Sequence, residues 1–225
     1  MVTKHSHKLK EGVIAFLRRN IRTREFKAGE HIKELYVTQV LGVSRAPVRE
    51  AFLELAAQGL LRLAPNRGAY VVELTAQKIM DRILLCGALE GFALRSTLHL
   101  FNPPDFKRLE DSVDRMTHIV DSSGDISELL EEELFFHHAC VVKVKDAFLL
   151  EFIEKCSRML ELLLAEDWKT IYTPEDFLHR HKTLYTAIAE DDPDLVEKCV
   201  REHYFETAAR MAVFGVDVRK KGKIA

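Results

Sequence analysis

The stretch VSRAPVREAF at residues 43–52 constrains the fold of this chain more than any other feature. Ser44 is typical of a helix N-cap, because its hydroxyl can accept a hydrogen bond from a free backbone N–H of the first turn. Pro47 then lies within that first turn, where a missing backbone N–H costs nothing. The stretch therefore predicts the start of a helix, with Arg45 and Arg49 together near its N-terminal end.

The segments around this helix predict a small helical unit with a turn at its centre. A first helix fits residues 9–22 and a second fits residues 32–41, and Gly42 provides the turn before the third helix. Gly59 ends that third helix. The residues of the third helix that share one apolar arc and should face the core are Val48, Ala51, Phe52 and Leu55.

A hairpin follows the third helix. The segment LLRLAPNRGAYVVEL predicts two short strands around a Pro-Asn-Arg-Gly turn, which form a β-hairpin or wing. Helix, helix–turn–helix and wing together predict a winged helix-turn-helix domain over residues 1–74, here called the head. Such domains insert the N-terminal part of the second motif helix into the major groove of double-stranded DNA.

The charge of the chain is divided unevenly, although its net value is only −2. Residues 1–72 hold 13 Lys and Arg against 6 Asp and Glu, whereas the remaining residues hold 20 against 29. A basic head on an acidic remainder predicts that only the head meets a polyanion. Charge alone does not separate nucleic acid from an anionic membrane.

The remainder, residues 75–225, is here called the body and shows no strand pattern. Proline- and glycine-containing breakers separate helices predicted at residues 75–100, 105–121, 126–145, 147–168, 174–190 and 194–216. The overall fold class is therefore mainly α, with the head followed by an all-α helical bundle. No apolar run reaches the length that spans a bilayer, so no membrane partner is expected. The four scattered cysteines favour reduced thiols in a cytoplasmic protein.

Several side chains of the head suit DNA contact. Arg45 and Arg49 can donate to guanine O6 and N7 or to phosphate, and Ser44 can bind phosphate from the helix start. Arg67, beside Gly68 at the wing tip, could reach a phosphate or the minor groove. The alternative for each arginine is an ordinary solvated surface residue.

The segment KAGEHIKELYVTQVLGVSRAPVREAFLELAAQGLLRLAPNRGAYV resembles the DNA-binding domain of the GntR family of bacterial transcription regulators. The body resembles the FCD-type ligand-binding domain of the FadR-like branch. This resemblance implies a homodimer on an inverted-repeat operator, whose DNA affinity a small metabolite changes. The family's base-reading residues match Arg45 and Arg49, and its backbone or minor-groove contacts match Ser44, Arg67 and Gly68.

Four residues of the body predict a metal site. Glu133 and His137 lie one turn apart on the apolar face of their helix, and His181 and His203 lie in phase with the apolar residues of two later helices. One carboxylate and three neutral imidazoles suit Zn²⁺ first, with Ni²⁺, Mn²⁺ or Fe²⁺ as alternatives. The competing interpretation is that these are hydrogen-bonded core histidines.

The FCD resemblance extends to this set. The stretch EEELFFHHAC is similar to the family's Asp-x-x-x-His stretch, with Glu133 in place of Asp. The resemblance implies that the metal lies at the floor of an effector cavity, where an effector carboxylate can coordinate it. Many relatives also carry an arginine four residues before the position of Glu90, where this chain has Cys86. Arg82 and Arg95 are the predicted substitutes in the effector pocket.

Three functions remain open from the sequence. The first is a regulator that responds to a small metabolite, most simply an organic acid, bound near the metal. The second is a metal sensor, in which the ion itself is the signal. The third is a metalloenzyme, which we do not favour because no separate general base or nucleophile is found and because the basic head would go unexplained.

Overall fold

The computed structural model describes residues 2–64 and 67–213. The described residues up to Thr75 belong to one compact unit, and Ala76–Leu160 together with the described residues from Asp167 belong to a second. These units correspond to the head and the body predicted from the sequence, except that Thr75 groups with the head. The predicted turn residues Pro65 and Asn66, and residues 214–216 of the predicted last helix, lie outside the described residues. The fold class predicted from the sequence is confirmed.

Helices and a small sheet make up the head. Its elements are α1 Val2–Arg22, α2 Glu34–Leu41, α3 Arg45–Ala57, β1 His31–Ile32, β2 Leu61–Ala64 and β3 Gly68–Val71. Helix α1 begins earlier than the sequence predicts, because no glycine or proline interrupts the residues before Leu9. The buried residues Val13 and Leu17 of α1 pack toward α3, whose four predicted core residues are all buried.

Strand β1 replaces the start of the predicted second helix. His31 and Ile32 pair antiparallel with Tyr70 and Ala69 of β3, so the sheet has the order β1-β3-β2. The prediction of helix from residue 32 is wrong at this point, since Ile32 is fully buried as a strand residue and α2 begins only at Glu34. A strand of two residues is too short to show an alternating pattern in the sequence.

The turn before α3 forms as the sequence predicts, with one difference. Gly42 has a left-handed conformation with φ 63° and ends α2, and glycine adopts such angles without steric cost. Ser44 takes the N-cap position of α3 with extended backbone angles, but its hydroxyl makes no capping hydrogen bond. The predicted capping contact is therefore wrong, and the exposed hydroxyl is not committed to the helix end.

Gly68 has a structural reason to be glycine. Its φ of 105° is one that other residues rarely adopt, and a Cβ atom here would overlap the carbonyl oxygen of Ile32 in β1. The start of β3 therefore lies so close to the backbone of β1 that only a residue without a side chain fits at position 68.

The described part of the body is helical. Its elements are α4 Ala76–Thr97 with a 3-10 turn at Leu98–Leu100, α5 Pro103–Ser122, α6 Ile126–Cys140, α7 Ala147–Ile171, α8 Pro174–Ala189 and α9 Pro193–Val213. Helix α4 packs along α9, and α8 packs against α5, α6 and α9. This arrangement brings the inner faces of α4, α6, α8 and α9 together in one core.

Local chemistry explains where the helices of the body begin and end. Asn102 and Asp105 form a reciprocal capping box, so α5 begins at Pro103, earlier than residue 105. Helix α6 ends at Cys140 rather than at residue 145 as predicted. Val141 already departs from helical angles, with φ −107° and ψ 10°, in a segment rich in β-branched valines that lowers helix propensity.

In the described part of the body, one helical stretch meets the length and composition test for a membrane span. Ala76–Leu100 is long and apolar enough to cross a bilayer, with a mean hydropathy of 1.3. Core helices of soluble proteins pass the same test, and α4 packs along α9 with Ile83 and Leu94 fully buried. We therefore interpret α4 as the central core helix of the body.

Replacing Gly68 by Ala should destabilise the head by about 2 kcal/mol, because the added methyl group overlaps the β1 backbone in a strained conformation. Urea denaturation of the full-length protein, followed by circular dichroism, measures the change. Gly12→Ala is the matched control: Gly12 is exposed in α1, and a Cβ there meets nothing within 4 Å. The control should be neutral or stabilising by up to about 1 kcal/mol. Equal midpoints for Gly68→Ala and the unaltered protein would contradict the packing argument.

Candidate metal centre and nucleic-acid interface

The start of α3 presents the predicted DNA-contacting side chains to solvent. Ser44 and Arg45 are exposed, and the side chain of Arg49 is 57% exposed. The Arg49 Nε donates to both carboxylate oxygens of Glu34, at 3.0 and 2.9 Å. An exposed ion pair of this kind contributes little to stability, so Arg49 can exchange Glu34 for another anion at small cost.

The wing presents one of its two predicted residues. The side chain of Arg67 is exposed, and its backbone carbonyl accepts a hydrogen bond of 2.6 Å from His31 Nε2. Gly68 is buried against β1 instead. The structure therefore explains Gly68 through packing of the sheet, without reference to DNA.

The structure brings the four predicted metal-binding residues together. One ligand atom from each of Glu133 and His137 on α6, His181 on α8 and His203 on α9 lies within 4.8 Å of the others. The ring centroids of the three histidines are 5.0–5.6 Å apart. His137, His181 and His203 are all buried, and Glu133 is partly buried.

The hydrogen bonds of two histidines leave one nitrogen of each facing the cluster. His137 Nδ1 lies 2.7 Å from Glu90 Oε1, and His181 Nδ1 lies 2.8 Å from the carbonyl oxygen of Phe177. A carbonyl accepts only, so the His181 proton resides on Nδ1 and its Nε2 carries a lone pair. The Nε2 atoms of both rings are buried and find no hydrogen-bond partner within residues 2–64 and 67–213. The closest carboxylate oxygen to His137 Nε2, from Glu133, is 3.9 Å away, which is too long for a hydrogen bond.

The surroundings also determine the charge of the histidines. Burial lowers the pKa of His181 and of His203 well below the usual value, and the nearby Arg180 guanidinium adds to the effect. Burial also acts to lower the pKa of His137, but the Glu90 carboxylate outweighs it and raises this pKa overall. His181 and His203 are therefore neutral near pH 7, which is the form of imidazole that binds metals.

Sequence reasoning missed three polar residues that surround the cluster. Glu90 of α4 is 1% exposed and accepts a hydrogen bond of 2.8 Å from the Tyr204 hydroxyl through its second carboxylate oxygen. Arg180 is 6% exposed, and its Nη2 donates to the backbone carbonyl of His203 at 2.6 Å. Glu90 and Arg180 both lie in phase with the apolar residues of their own helices. The in-phase pattern that predicts the histidine cluster therefore predicts the inward position of both residues as well.

The three predicted effector-pocket residues lie in different surroundings. Arg82 contacts the sulfur of Met159 on α7. Cys86 is buried, and its hydrogen bond with Cys156 raises the pKa of Cys86 well above its usual value while lowering that of Cys156 to about 7.

Arg95 belongs to the surface of the body. It is half-exposed and pairs with Asp194 at 2.7 Å and with Glu197 at 3.0 Å on α9. Neither of these partners belongs to the histidine cluster. Arg180, by contrast, is a cation that lies beside the histidine cluster. Its guanidinium donates to the backbone carbonyl of His203.

Comparison with known protein families identifies both units. Residues 9–71 match the model of the bacterial regulatory proteins of the gntR family, and residues 82–206 match the FCD domain. The chain is 25% identical over 195 residues to the HTH-type transcriptional repressor RspR of Escherichia coli, which covers 86% of this chain and 85% of that protein. It is 27% identical over 175 residues to a probable D-xylose utilization operon transcriptional repressor of Paenarthrobacter nicotinovorans, over 78% and 76% of the two chains.

Solved structures share the fold. The Escherichia coli protein McbR/YncC superposes with a TM-score of 0.73 at 20% identity, over 92% of this chain and 96% of that one. A transcriptional regulator described as GntR from Rhodococcus sp. RHA1 gives a TM-score of 0.68 at 21% identity, over 91% and 97%. The two domain matches lie in the order head then body and cover most of the chain. This chain therefore belongs to the GntR family of bacterial transcriptional regulators and carries an FCD domain in its body.

Proposed function

We propose that this regulator binds a divalent metal in its body and that a small carboxylate bound near the metal changes the affinity of the head for its operator. The proposal rests on four donor atoms that lie within 4.8 Å of one another, one from partly buried Glu133 and three from buried histidines, contributed by three helices. The names of the relatives support regulation of transcription rather than catalysis.

The donor set fits a metal better than it fits a packed core. The buried Nε2 atoms of His137 and His181 have no hydrogen-bond partner, and leaving such atoms unsatisfied costs about 1–3 kcal/mol each. A divalent ion would satisfy both. Three imidazoles and one carboxylate suit Zn²⁺, and Ni²⁺, Mn²⁺ or Fe²⁺ would retain open coordination positions for an effector oxygen. A bound metal would act as a Lewis acid and attract the carboxylate of an effector.

The residues around the donors would orient them. The Glu90 carboxylate holds the His137 ring through Nδ1, and the Phe177 carbonyl holds the His181 ring in the same way. Partners of this kind fix the tautomer and direction of a metal-binding imidazole. Glu90 is itself held by the Tyr204 hydroxyl, so α4, α6 and α9 all contribute to the geometry.

We propose that the head reads DNA through Arg45 and Arg49, with Ser44 and Arg67 binding the backbone or minor groove. A homodimer in the cytoplasm would place two heads on the two halves of an inverted repeat. For the effector to act, it must bind the DNA-competent and DNA-incompetent states of the dimer with different affinities. If metal alone altered operator binding, with no acid present, the protein would instead be a metal sensor.

Replacing Arg45 or Arg49 by Ala should cost about 1–3 kcal/mol of specific binding if these side chains contact bases. Fluorescence anisotropy with an operator selected from random oligonucleotides measures the loss, and footprinting on that operator should show two symmetric half-sites. Arg158→Ala is the control, because Arg158 is an exposed arginine of the body that pairs with Glu154. Unchanged affinity and sequence preference in both head variants would remove the two arginines from the readout.

Replacing His181 or His203 by Ala should remove the bound metal, because each change deletes one of four donors. Elemental analysis of the purified protein after dialysis measures the metal content per chain. His138→Ala and His179→Ala are matched controls, since both histidines are exposed and lie within two residues of a proposed ligand in α6 or α8. Full metal retention in the His181 and His203 variants would refute this ligand set.

A further inference from the structure

One guanidinium nitrogen of Arg180 on α8 makes no hydrogen bond within the part of the chain that the structure describes. Its side chain is only 4% exposed, and Nε donates to Glu206 at 3.1 Å. Nη2 donates to the His203 carbonyl at 2.6 Å and to Thr207 Oγ1 at 2.7 Å. The guanidinium also lies over the Tyr172 ring, 4.4 Å from its centroid. The remaining nitrogen, Nη1, is buried and has no hydrogen-bond partner among the residues that the structure describes.

The contacts of Arg180 determine where Nη1 points. A guanidinium is planar and presents its donors in a rigid fork, so fixing Nε and Nη2 also fixes Nη1. Arg180 therefore cannot turn Nη1 toward solvent without breaking the bonds to Glu206 and His203. An unsatisfied buried donor of a charged group costs more than a neutral one, so an acceptor from outside the chain is expected.

The unsatisfied atoms of the body concentrate around the histidine cluster. In the part of the body that the structure describes, the buried side-chain nitrogens without a partner are those of His137, His181, Arg180 and Trp168. The first two belong to the proposed metal site, and Arg180 is hydrogen-bonded to the backbone of the third histidine of that site.

A metal alone does not complete this arrangement. A cation accepts the lone pairs of the imidazoles, but it repels the guanidinium and offers no acceptor to Nη1. The missing partner of Arg180 is therefore a hydrogen-bond acceptor, and an anionic oxygen forms the strongest hydrogen bond with a guanidinium. The other arginines considered for this role are engaged elsewhere, Arg82 at Met159 and Arg95 at Asp194 and Glu197.

We propose that Arg180 is the residue that binds the acidic group of the effector, with one carboxylate oxygen accepting a hydrogen bond from Nη1. This inference rests on the proposed function, because it places the effector beside the histidine cluster. It names the effector as a small carboxylate and makes Arg180 the determinant of specificity for the acid over its neutral amide.

The single tryptophan of the chain provides a test that does not depend on metal. Trp168 stacks on Tyr172 at 5.6 Å between ring centroids, and Arg180 covers the same Tyr172 ring. Full-length protein, freed of metal with a chelator, is titrated with acetate, inorganic phosphate or acetamide at constant ionic strength while Trp168 fluorescence is recorded. The unaltered protein should bind acetate at least about tenfold more tightly than acetamide.

Arg180→Gln should weaken acetate binding by at least about tenfold, because a neutral amide replaces the guanidinium. Arg210→Gln is the matched control. Arg210 lies 4.7 Å over the same Tyr172 ring and pairs with Glu206 and Asp176, but it has no buried unsatisfied nitrogen among the described residues. The control should keep the acetate affinity of the unaltered protein to within about twofold, since charge on Tyr172 alone does not make the site.

The outcomes separate this proposal from the metal centre. Loss of acetate binding in Arg180→Gln with normal metal content supports the proposal. If phosphate binds more tightly than acetate, and if this binding also depends on Arg180, the acidic group of the effector is a phosphate rather than a carboxylate. If the purified protein contains no metal but still requires Arg180 to bind acetate, the proposed metal centre is wrong and the proposed role of Arg180 is supported. Equal affinity of the unaltered protein for acetate and acetamide overturns it, and this arm requires no variant to fold. Undiminished acetate binding in folded Arg180→Gln overturns it as well.

Discussion

Buried polar atoms need partners, and the core of the body depends on how that requirement is met. Three histidines, Glu90 and Arg180 lie in the interior, where an unsatisfied polar group costs more than any single apolar contact returns. The protein satisfies most of these atoms with its own residues. The exceptions are gathered in one place, which is the reason that place is interpreted as a binding site rather than as a packed core.

The same hydrogen bonds join the helices that would have to move in a regulatory transition. Glu90 of α4 contacts both His137 of α6 and Tyr204 of α9, and Arg180 of α8 holds the backbone of α9. A ligand that draws two of these groups together therefore acts on all four helices. Helix α4 follows directly on Thr75, the last residue of the head, so a displacement of α4 has a covalent route to the head. This connection gives the proposed regulation a physical basis.

Much of this architecture is readable from local rules. Proline in a first turn and glycine after α2 predict the helix–turn–helix, and the in-phase positions of His137, His181 and His203 predict that they converge. The two-residue strand β1 was missed because it is stabilised by pairing with β3, which is distant in sequence. The tight contact of Gly68 with Ile32 depends on that same pairing. Nothing in the sequence near Arg95 indicates that its partners are Asp194 and Glu197, since these contacts arise only when α4 packs along α9.

If Glu133, His137, His181 and His203 hold a metal, anomalous X-ray diffraction from crystals of the protein as purified will reveal it at the cluster. Data on both sides of an absorption edge should show one strong peak bonded to the Glu133 carboxylate and to the three imidazoles at about 2.0–2.2 Å, the distances usual for Zn²⁺. A cluster filled by ordered water, with donor distances near those of hydrogen bonds and no anomalous signal at any transition-metal edge, would instead rule out a metal at this site.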